Sequence, residues 1–229
     1  MTPRRVSAVL LDMGGVLLPE VRDYTGALQD RLLLAQLREL GEEDPEARIR
    51  DAGARLRQAY RALAETCTQP DPDWVLSELP VVVRRRLLRA FAQEEAQPVF
   101  SYAREVVARL SRHYRLALAS NNVVPGDLHA RALARAGIAR HLDAALWSAN
   151  FGRRKPDPAM VFELLRRLGV PARRAVFVGD KRRTDVAAAR RAGVRSILLC
   201  RNQTVSEGPE PDFLIQDLRE LPRLLARLG

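Results

Sequence analysis

The sequence predicts an α/β protein, with a parallel β-sheet covered by helices on both faces and a smaller helical region inserted near its start. Two observations support this prediction. Short apolar segments alternate with amphipathic helical patterns along most of the chain, and one long stretch near the N-terminus has helical periodicity only. Because parallel strands are joined by crossover connections that are usually helices, the alternation is typical of a parallel sheet. The 229 residues suffice for such a domain with an inserted smaller one.

Six short apolar runs are the predicted strands, at residues 8–12, 115–120, 144–149, 175–180, 196–200 and 212–215. Helical patterns lie between most of them: residues 104–110, a segment from Asp127 to just before Gly137, and a segment from Pro158 to just before Gly169. Proline in the first turn and glycine after the last turn are typical helix boundaries. Ligands of open parallel sheets bind at the carboxyl ends of the strands. We therefore expect the functional residues at those ends.

The stretch from about Leu18 to Gln97 contains helical patterns and no convincing strand. Two apolar stripes have helical spacing: Leu33, Leu37 and Leu40, and then Ile49, Ala52, Leu56, Tyr60 and Leu63. The segment TQPDPD at residues 68–73 is predicted to be a turn between helices. Residues 1–17 and 98–229 are thus expected to form the α/β core, and residues 18–97 a helical insertion.

The charge of the chain is strongly positive, at +10. Lys155 and Lys181 are the only lysines among the 38 basic residues, so arginine is the default cation. Such a bias weakens any inference of nucleic-acid binding from charge, and aromatic residues make up only 5% of the chain. We expect no nucleic-acid partner. Where arginine is the default, a lysine suggests a need for a compact point charge.

The expected location is the cytoplasm, with no membrane partner. No apolar run in the sequence reaches the length of a membrane span. The basic N-terminal residues precede an apolar run that is short and ends at Asp12, which makes a poor secretory signal. Cys67 and Cys200 form no motif, which is typical of a reducing compartment.

A single carboxylate, Asp12, ends the first predicted strand and is followed by Gly14 and Gly15. A carboxylate in this position can be a nucleophile, a metal ligand or a helix cap. The glycines favour the first two roles, because they allow the backbone to approach a ligand closely.

Three further sequence features carry polar groups to the same predicted edge. Ser120 ends the second strand and Asn121 follows it, although small polar residues there are more often turn formers. Lys155 precedes two prolines that fix the start of a helix. Asp180 and Asp185 lie on either side of a strand-to-helix turn, where Asp185 could serve equally well as a helix cap or as a functional residue. Phosphoryl transfer requires such a set of groups: one acid that attacks, another that holds a divalent cation, and a hydroxyl and an ammonium group that hold an anion.

Four segments together resemble the motifs of the haloacid dehalogenase-like (HAD) superfamily. They are LLDMGGVLL (10–18), LALASNN (116–122), RRKPDPAM (153–160) and FVGDKRRTDVAAARRAGV (177–194), in the family order. The resemblance spans essentially the whole chain. It implies a Rossmann-like three-layer core with a parallel sheet, plus a small α-helical cap domain after the first motif, which matches residues 18–97.

The resemblance also implies roles for individual residues. Asp12 would be a nucleophile that forms an aspartyl-phosphate, Ser120 and Asn121 would bind the substrate, and Lys155 would steady both the phosphoryl group and Asp12. The implied Mg²⁺ ligands are Asp12, the Gly14 carbonyl, Asp180 and Asp185. Arg22, Asp23 and Tyr24, just after the first motif, are the predicted lining of the substrate pocket, while Tyr60 and Trp74 are expected to belong either to the core or to the pocket. The partner implied is a small phosphorylated substrate.

Two positions depart from the family pattern. Phosphatases of the family usually carry a second aspartate at the position of Gly14, which protonates the leaving group and activates water. Loss of such a general acid/base typically slows a reaction about 10²–10⁴-fold. Lys181 stands where the family often has a small polar residue. Its ammonium group is expected to weaken Mg²⁺ binding, to point into solvent, or to replace some of the missing charge.

Three hypotheses follow from these features. The leading one is a Mg²⁺-dependent phosphatase of a small phosphorylated metabolite, slowed by Gly14. The alternative is a module that binds a phosphometabolite or a protein without catalysis. A 2-haloacid dehalogenase is a third interpretation, but that chemistry needs no metal, so the retained Asp180 and Asp185 argue against it.

Overall fold

The computed structural model of the protein describes residues 5–20, 24–63, 65–201 and 207–228. Its strands are β1 (Ala8–Leu11), β2 (Arg115–Ser120), β3 (Ala144–Trp147), β4 (Ala175–Gly179), β5 (Arg195–Leu199) and β6 (Phe213–Ile215). They form one sheet in the order β3-β2-β1-β4-β5-β6, and every neighbouring pair is parallel. The prediction of a parallel α/β sheet is confirmed. The third strand ends earlier than predicted, because residues from Ser148 onwards turn into a short helix.

Helices cover both faces of the sheet. Successive side chains of β1 point to opposite faces, and each face packs against its own set of helices. Val9 and Leu11 belong to one apolar cluster, and Ala8 and Leu10 belong to another. The first cluster includes residues of α5 (Ala103–Leu110), α6 (Asp127–Arg135) and α10 (Leu221–Arg227). The second includes residues of α8 (Ala159–Leu168) and α9 (Ala187–Arg191), while α7 (Ser148–Phe151) follows β3. The result is a three-layer core in which β1 is buried on both sides.

The strand order creates a crevice next to β1. The chain proceeds from β1 to β2 and β3 on one side, and then to β4, β5 and β6 on the other. In open parallel sheets, the point where the order reverses is the usual ligand site. Here that point lies between the carboxyl ends of β1 and β4.

A separate apolar cluster occupies the helical region. It is formed by α1 (Arg31–Glu39), α2 (Pro45–Ala62), α3 (Pro72–Val75) and α4 (Val81–Glu95), with a 3₁₀ turn at Gly26–Gln29. Asp30 and Asp44 cap α1 and α2 by accepting hydrogen bonds from backbone N–H groups of the first turn. The helices match the predicted pattern, while the division of the chain at residues 18–97 stays a prediction.

Two details of this region differ from the prediction. The sequence pattern assigns Leu40 to a buried stripe, but α1 ends at Glu39 and the Leu40 side chain is 50% exposed. The predicted turn at residues 68–73 is shorter than expected, because the Asp71 carboxylate accepts a hydrogen bond from the Asp73 N–H and starts α3 at Pro72. A capping aspartate followed by proline therefore begins a helix here.

The described helices are short and amphipathic. The longest of them, α2, has 18 residues and buries a single face through Ile49, Ala52 and Leu56. Within the described residues, no helix combines the length and the apolar character needed to cross a bilayer.

Candidate active site

The predicted site residues of the core converge at the carboxyl edge of the sheet. Asp12 follows β1, Ser120 is the last residue of β2, and Asp180 follows β4. The Asp12 N–H donates to the Val178 carbonyl at 2.9 Å, which extends the pairing of β1 with β4 by one residue. Asp12 and Ser120 are only 6% and 2% exposed. The apolar strand therefore delivers a carboxylate to a largely desolvated position.

Lys155 lies between two of these acids. Its Nζ is 2.7 Å from Asp12 Oδ1 and 2.8 Å from Asp185 Oδ1. Burial favours the neutral amine, but the charges of Asp12 and Asp185 outweigh it and raise the pKa of Lys155 above its usual value. Burial also favours the neutral form of Asp12, which raises the pKa of this carboxyl group, and the ammonium group of Lys155 counteracts that rise. The ammonium group thus stays charged beside Asp12.

Asn121 holds the backbone of Lys155. Its Nδ2 donates to the Lys155 carbonyl at 2.8 Å, and the Lys155 N–H donates to Asn121 Oδ1 at 2.9 Å. This double hydrogen bond ties the loop before α8 to the end of β2. The side-chain amide of Asn121 is therefore engaged by protein backbone at the cavity wall.

Asp12, Asp180 and Asp185 form an acidic cluster, in which one carboxylate oxygen of each lies within 4.8 Å of the others. Asp185 Oδ2 accepts hydrogen bonds from the N–H groups of Asp180 at 3.1 Å and Lys181 at 3.0 Å. Asp180 Oδ1 is buried and has no hydrogen-bond partner among the described residues. Burial, followed by the charges of Asp12 and Asp185, raises the pKa of Asp180 to about 7.

This cluster fits a hard divalent cation. A buried carboxylate oxygen without a partner is costly, and two further carboxylates beside it increase the repulsion. Mg²⁺ prefers oxygen ligands and is usually bound by one or two carboxylates together with other oxygen groups. The donor set at the ends of β1 and β4 matches that preference.

The two glycines after Asp12 play different parts. Gly15 has φ +75°, and a Cβ atom there would lie 2.1 Å from Asp180 Oδ2, so any other residue would be strained and would displace the Asp180 carboxylate. At Gly14, an added Cβ would meet no atom within 4 Å. The structure thus leaves room for a side chain at residue 14, so steric crowding does not explain why this position lacks the aspartate that the family usually has.

Lys181 pairs with the Glu20 carboxylate. Burial disfavours its charge, but Glu20 and then Asp180 raise the pKa of Lys181 above its usual value. Both residues line the same cavity as Asp12. The structure therefore places this ammonium group at the cavity wall, and the Glu20 contact was not apparent from the sequence because the two residues are far apart along the chain.

A cavity of about 240 Å³ lies above Asp12. Ser120, Asn121 and Lys155 line it from the core, while the helical region contributes Tyr24, Arg57, Tyr60 and Glu95. Tyr24 thus lines the cavity, and Arg22 and Asp23 lie outside the described residues. Arg57 and Glu95 were not predicted as lining residues from the sequence. Tyr60, for which core and pocket were both left open, lines the cavity, and the Trp74 side chain is 76% exposed.

Glu95 joins the two parts of the chain at this cavity. Its Oε1 accepts a hydrogen bond from the Tyr24 hydroxyl at 2.5 Å, and its Oε2 accepts one from Asn122 Nδ2 at 3.3 Å. His129 Nε2 of α6 also lies 3.3 Å from Oε2. Burial and the Glu95 charge raise the pKa of Tyr24, so the hydroxyl remains a donor. The only sequence signal for this cluster was that Asn122 follows Ser120 and Asn121.

Several curated proteins are similar to this chain. A phosphoserine phosphatase of Thermus thermophilus is 38% identical over 141 residues, which are 60% of this chain and 55% of that protein. A phosphoglycolate phosphatase of Pseudomonas fluorescens is 29% identical over 219 residues, or 93% of this chain and 77% of that protein. The chain thus spans just over half the length of the Thermus relative.

Solved structures share the fold over nearly the whole chain. A 2-haloacid dehalogenase from Pseudomonas syringae pv. tomato has a TM-score of 0.66 and 26% identity, covering 98% of this chain and 100% of that one. A HAD phosphatase from Thermococcus onnurineus, at 21% identity, matches in fold with a TM-score of 0.67, covering 96% of this chain and 98% of that one. The family model described as haloacid dehalogenase-like hydrolase matches residues 6–193. The resemblance seen in the four motifs is confirmed, and the chain belongs to the haloacid dehalogenase-like hydrolases.

Proposed function

We propose that this chain is a Mg²⁺-dependent phosphatase that releases phosphate from a small phosphorylated metabolite. The observation that carries the proposal is the position of the Asp12 carboxylate at the cavity wall. Its Oδ1 lies 2.7 Å from Lys155 Nζ, and the neighbouring Asp180 has a buried oxygen without a hydrogen-bond partner among the described residues. Curated relatives that are named phosphoserine phosphatase and phosphoglycolate phosphatase support it. The cavity volume of about 240 Å³ favours a small substrate.

In the proposed reaction, a carboxylate oxygen of Asp12 attacks phosphorus and the bond from phosphorus to the substrate oxygen breaks. The alcohol leaves with one proton, and Asp12 carries the phosphoryl group. Water then attacks the phosphorus of this aspartyl-phosphate, which releases inorganic phosphate and restores the carboxylate. Ser120 donates its hydroxyl to a phosphoryl oxygen, and the ammonium group of Lys155 offsets the charge of both phosphate and nucleophile.

Asp12, Asp180 and the Gly14 carbonyl would hold Mg²⁺, which when bound supplies positive charge to the phosphoryl oxygens. Asp185 supports this arrangement by accepting the N–H groups of Asp180 and Lys181 and by pairing with Lys155. Asn121 acts as a positioning residue through its two hydrogen bonds to the Lys155 backbone. Residues 18–97 act as a cap that supplies Tyr24 and Glu95 to the cavity.

The Gly14 position implies slow turnover of esters with poor leaving groups. No acid stands there to protonate the leaving oxygen or to activate water, so these protons come from solvent. The expected cost is about 10²–10⁴-fold in rate. Aryl phosphates, whose leaving groups need little protonation, are affected least.

A 2-haloacid dehalogenase is the rival activity, because a solved structure of that name is 26% identical over 98% of this chain. Its nucleophile would attack carbon and expel halide, which requires no cation. The acidic cluster with its unpartnered Asp180 oxygen favours the phosphatase.

A screen of phosphate release over phosphorylated metabolites and nitrophenyl phosphate tests the proposal. Parallel reactions contain Mg²⁺ or a chelator, and a halide assay uses a 2-haloacid. Phosphate release that needs Mg²⁺ supports the phosphatase. Chelator-insensitive halide release, or no phosphate from any ester, would overturn it.

A further inference from the structure

Arg57 is a cation of the cavity whose role the proposed chemistry does not explain. It lies on α2 in the helical region and lines the same cavity as Asp12. Its side chain is half-buried, and its guanidinium carbon lies 5.9 Å from the centre of the Tyr24 ring. Within the described residues it makes no hydrogen bond or ion pair, and Tyr24 is its only ring contact.

The other charges of the cavity have partners. Lys155 is shared by Asp12 and Asp185, and Lys181 is paired with Glu20. A further acid of the cavity, Glu95, is also satisfied, since it accepts hydrogen bonds from Tyr24 and Asn122 and lies beside His129. Arg57 is therefore the cavity cation that has no acid partner in the described part of the chain.

A half-buried guanidinium group without an anion is unfavourable, and an anionic ligand removes that cost. Arg57 belongs to the helical region, whereas Ser120 and Lys155, which would bind the phosphoryl group, belong to the core. An anion at Arg57 is therefore on the part of the substrate remote from phosphorus. Arginine presents a planar fork of N–H donors that matches the two oxygens of a carboxylate.

We propose, on the basis of the proposed phosphatase function, that Arg57 binds the carboxylate of the substrate and makes the enzyme selective for small phosphorylated carboxylic acids. The cavity volume of about 240 Å³ limits such substrates to a few carbon atoms. Arg57 is thus a specificity-determining residue: it contacts the distal carboxylate and takes no part in the transfer of the phosphoryl group.

The test compares substrate pairs that differ only in the carboxylate. Phosphoglycolate is paired with hydroxyethyl phosphate, and phosphoglycerate with glycerol phosphate; phosphoserine is added to detect an effect of an ammonium group. We expect kcat/KM of the wild-type enzyme to favour the carboxylates about 10-fold or more, and Arg57→Gln to reduce that ratio about 10-fold or more. The matched control is Arg61→Gln, an exposed arginine one turn further along α2, which leaves the ratio unchanged.

A binding measurement separates this proposal from the phosphatase function. In the Asp12→Asn protein, calorimetry with phosphoglycolate and phosphoserine should show binding that Arg57→Gln weakens about 10-fold or more. Equal losses on both members of a pair, an unchanged ratio, or no weakening of binding by Arg57→Gln would overturn the role of Arg57. Absence of phosphate release from every ester, nitrophenyl phosphate included, would instead overturn the phosphatase function.

Discussion

Gly15 and Asp180 approach each other so closely that a Cβ atom on residue 15 would lie 2.1 Å from Asp180 Oδ2. The contact joins the turn after β1 to the end of β4, where the strand order of the sheet reverses. The Asp180 carboxylate occupies the space that a side chain at residue 15 would need, and it lies next to Asp12 and Asp185. The close approach of these three acids thus requires a residue without a side chain at position 15.

The first prediction concerns that glycine. Gly15→Ala should lower the stability of the protein by about 1–3 kcal/mol, because alanine is strained at positive φ and its methyl group displaces Asp180. It should also remove the stabilisation by Mg²⁺ in a thermal unfolding assay. Gly14→Ala is the matched control, since a Cβ there meets no atom within 4 Å. Equal behaviour of the two variants would contradict the assignment.

The second prediction concerns the acid that is absent at position 14. Gly14→Asp should raise kcat on alkyl phosphates about 10-fold or more, since a carboxyl group there can protonate the leaving oxygen and activate water. The gain on nitrophenyl phosphate should be smaller, because nitrophenolate leaves without a proton. Steady-state kinetics on both esters measure the difference. A variant that folds and binds Mg²⁺ but gains no rate on alkyl phosphates would show that Gly14 does not limit turnover.

The third prediction concerns the buried pair of Lys155 and Asp12. Lys155→Met should destabilise the Mg²⁺-free protein by about 3–5 kcal/mol, because it leaves the buried charges of Asp12 and Asp185 uncompensated. Adding Asp12→Asn should recover part of this loss, since one of those charges is then removed. Urea unfolding of the two single variants and the double variant gives the coupling energy. Strictly additive effects would contradict the contact.

The fourth prediction is a pH dependence caused by Asp180. Its pKa is raised from 3.8 to about 7, so the folded protein favours the protonated carboxyl and ionisation destabilises it. The cost is absent below about pH 4 and complete above about pH 7, with an upper value of about 4 kcal/mol. Stability of the Mg²⁺-free protein should therefore fall as the pH rises across this range. Asp180→Asn should flatten the curve in urea unfolding, and an unchanged slope would show that another group causes the pH dependence.

Mg²⁺ affinity should follow the same titration. The cation requires the ionised carboxylate, so binding competes with the proton on Asp180. The dissociation constant measured by calorimetry should rise as the pH falls below about 7, by up to about 10-fold per pH unit. An affinity that is constant between pH 5 and 8 would indicate that Asp180 is not a ligand.

The sequence predicted the sheet well because its signals are local. The strand β1 is a short apolar run that is buried on both faces, and the helix α8 ends at a recognisable boundary, Gly169. Asp12, Ser120 and Asp180 could be located from the sequence because they end such strands. Leu40 was misplaced because α1 ends at Glu39, so that Leu40 is the C-cap residue before Gly41, which has φ +84°.

The partners of the cavity were not predictable, because they join distant parts of the chain. Glu95 contacts Tyr24 and Asn122, which are 71 and 27 residues away. The pairing of Lys181 with Glu20 spans 161 residues, so the sequence left three alternatives for that ammonium group. Arg57 lies among many arginines on an amphipathic helix, and only its position in the fold distinguishes it from the others.

The chemical state of Asp12 during turnover decides whether the reaction passes through an aspartyl-phosphate. The enzyme is mixed with nitrophenyl phosphate and Mg²⁺, quenched rapidly in acid, digested, and analysed by mass spectrometry of the peptide that carries Asp12. We expect a phosphoryl group on Asp12 in the wild-type enzyme, and neither that group nor turnover in Asp12→Asn. Full turnover without a phosphorylated Asp12, or retained turnover in Asp12→Asn, would contradict nucleophilic catalysis by this residue.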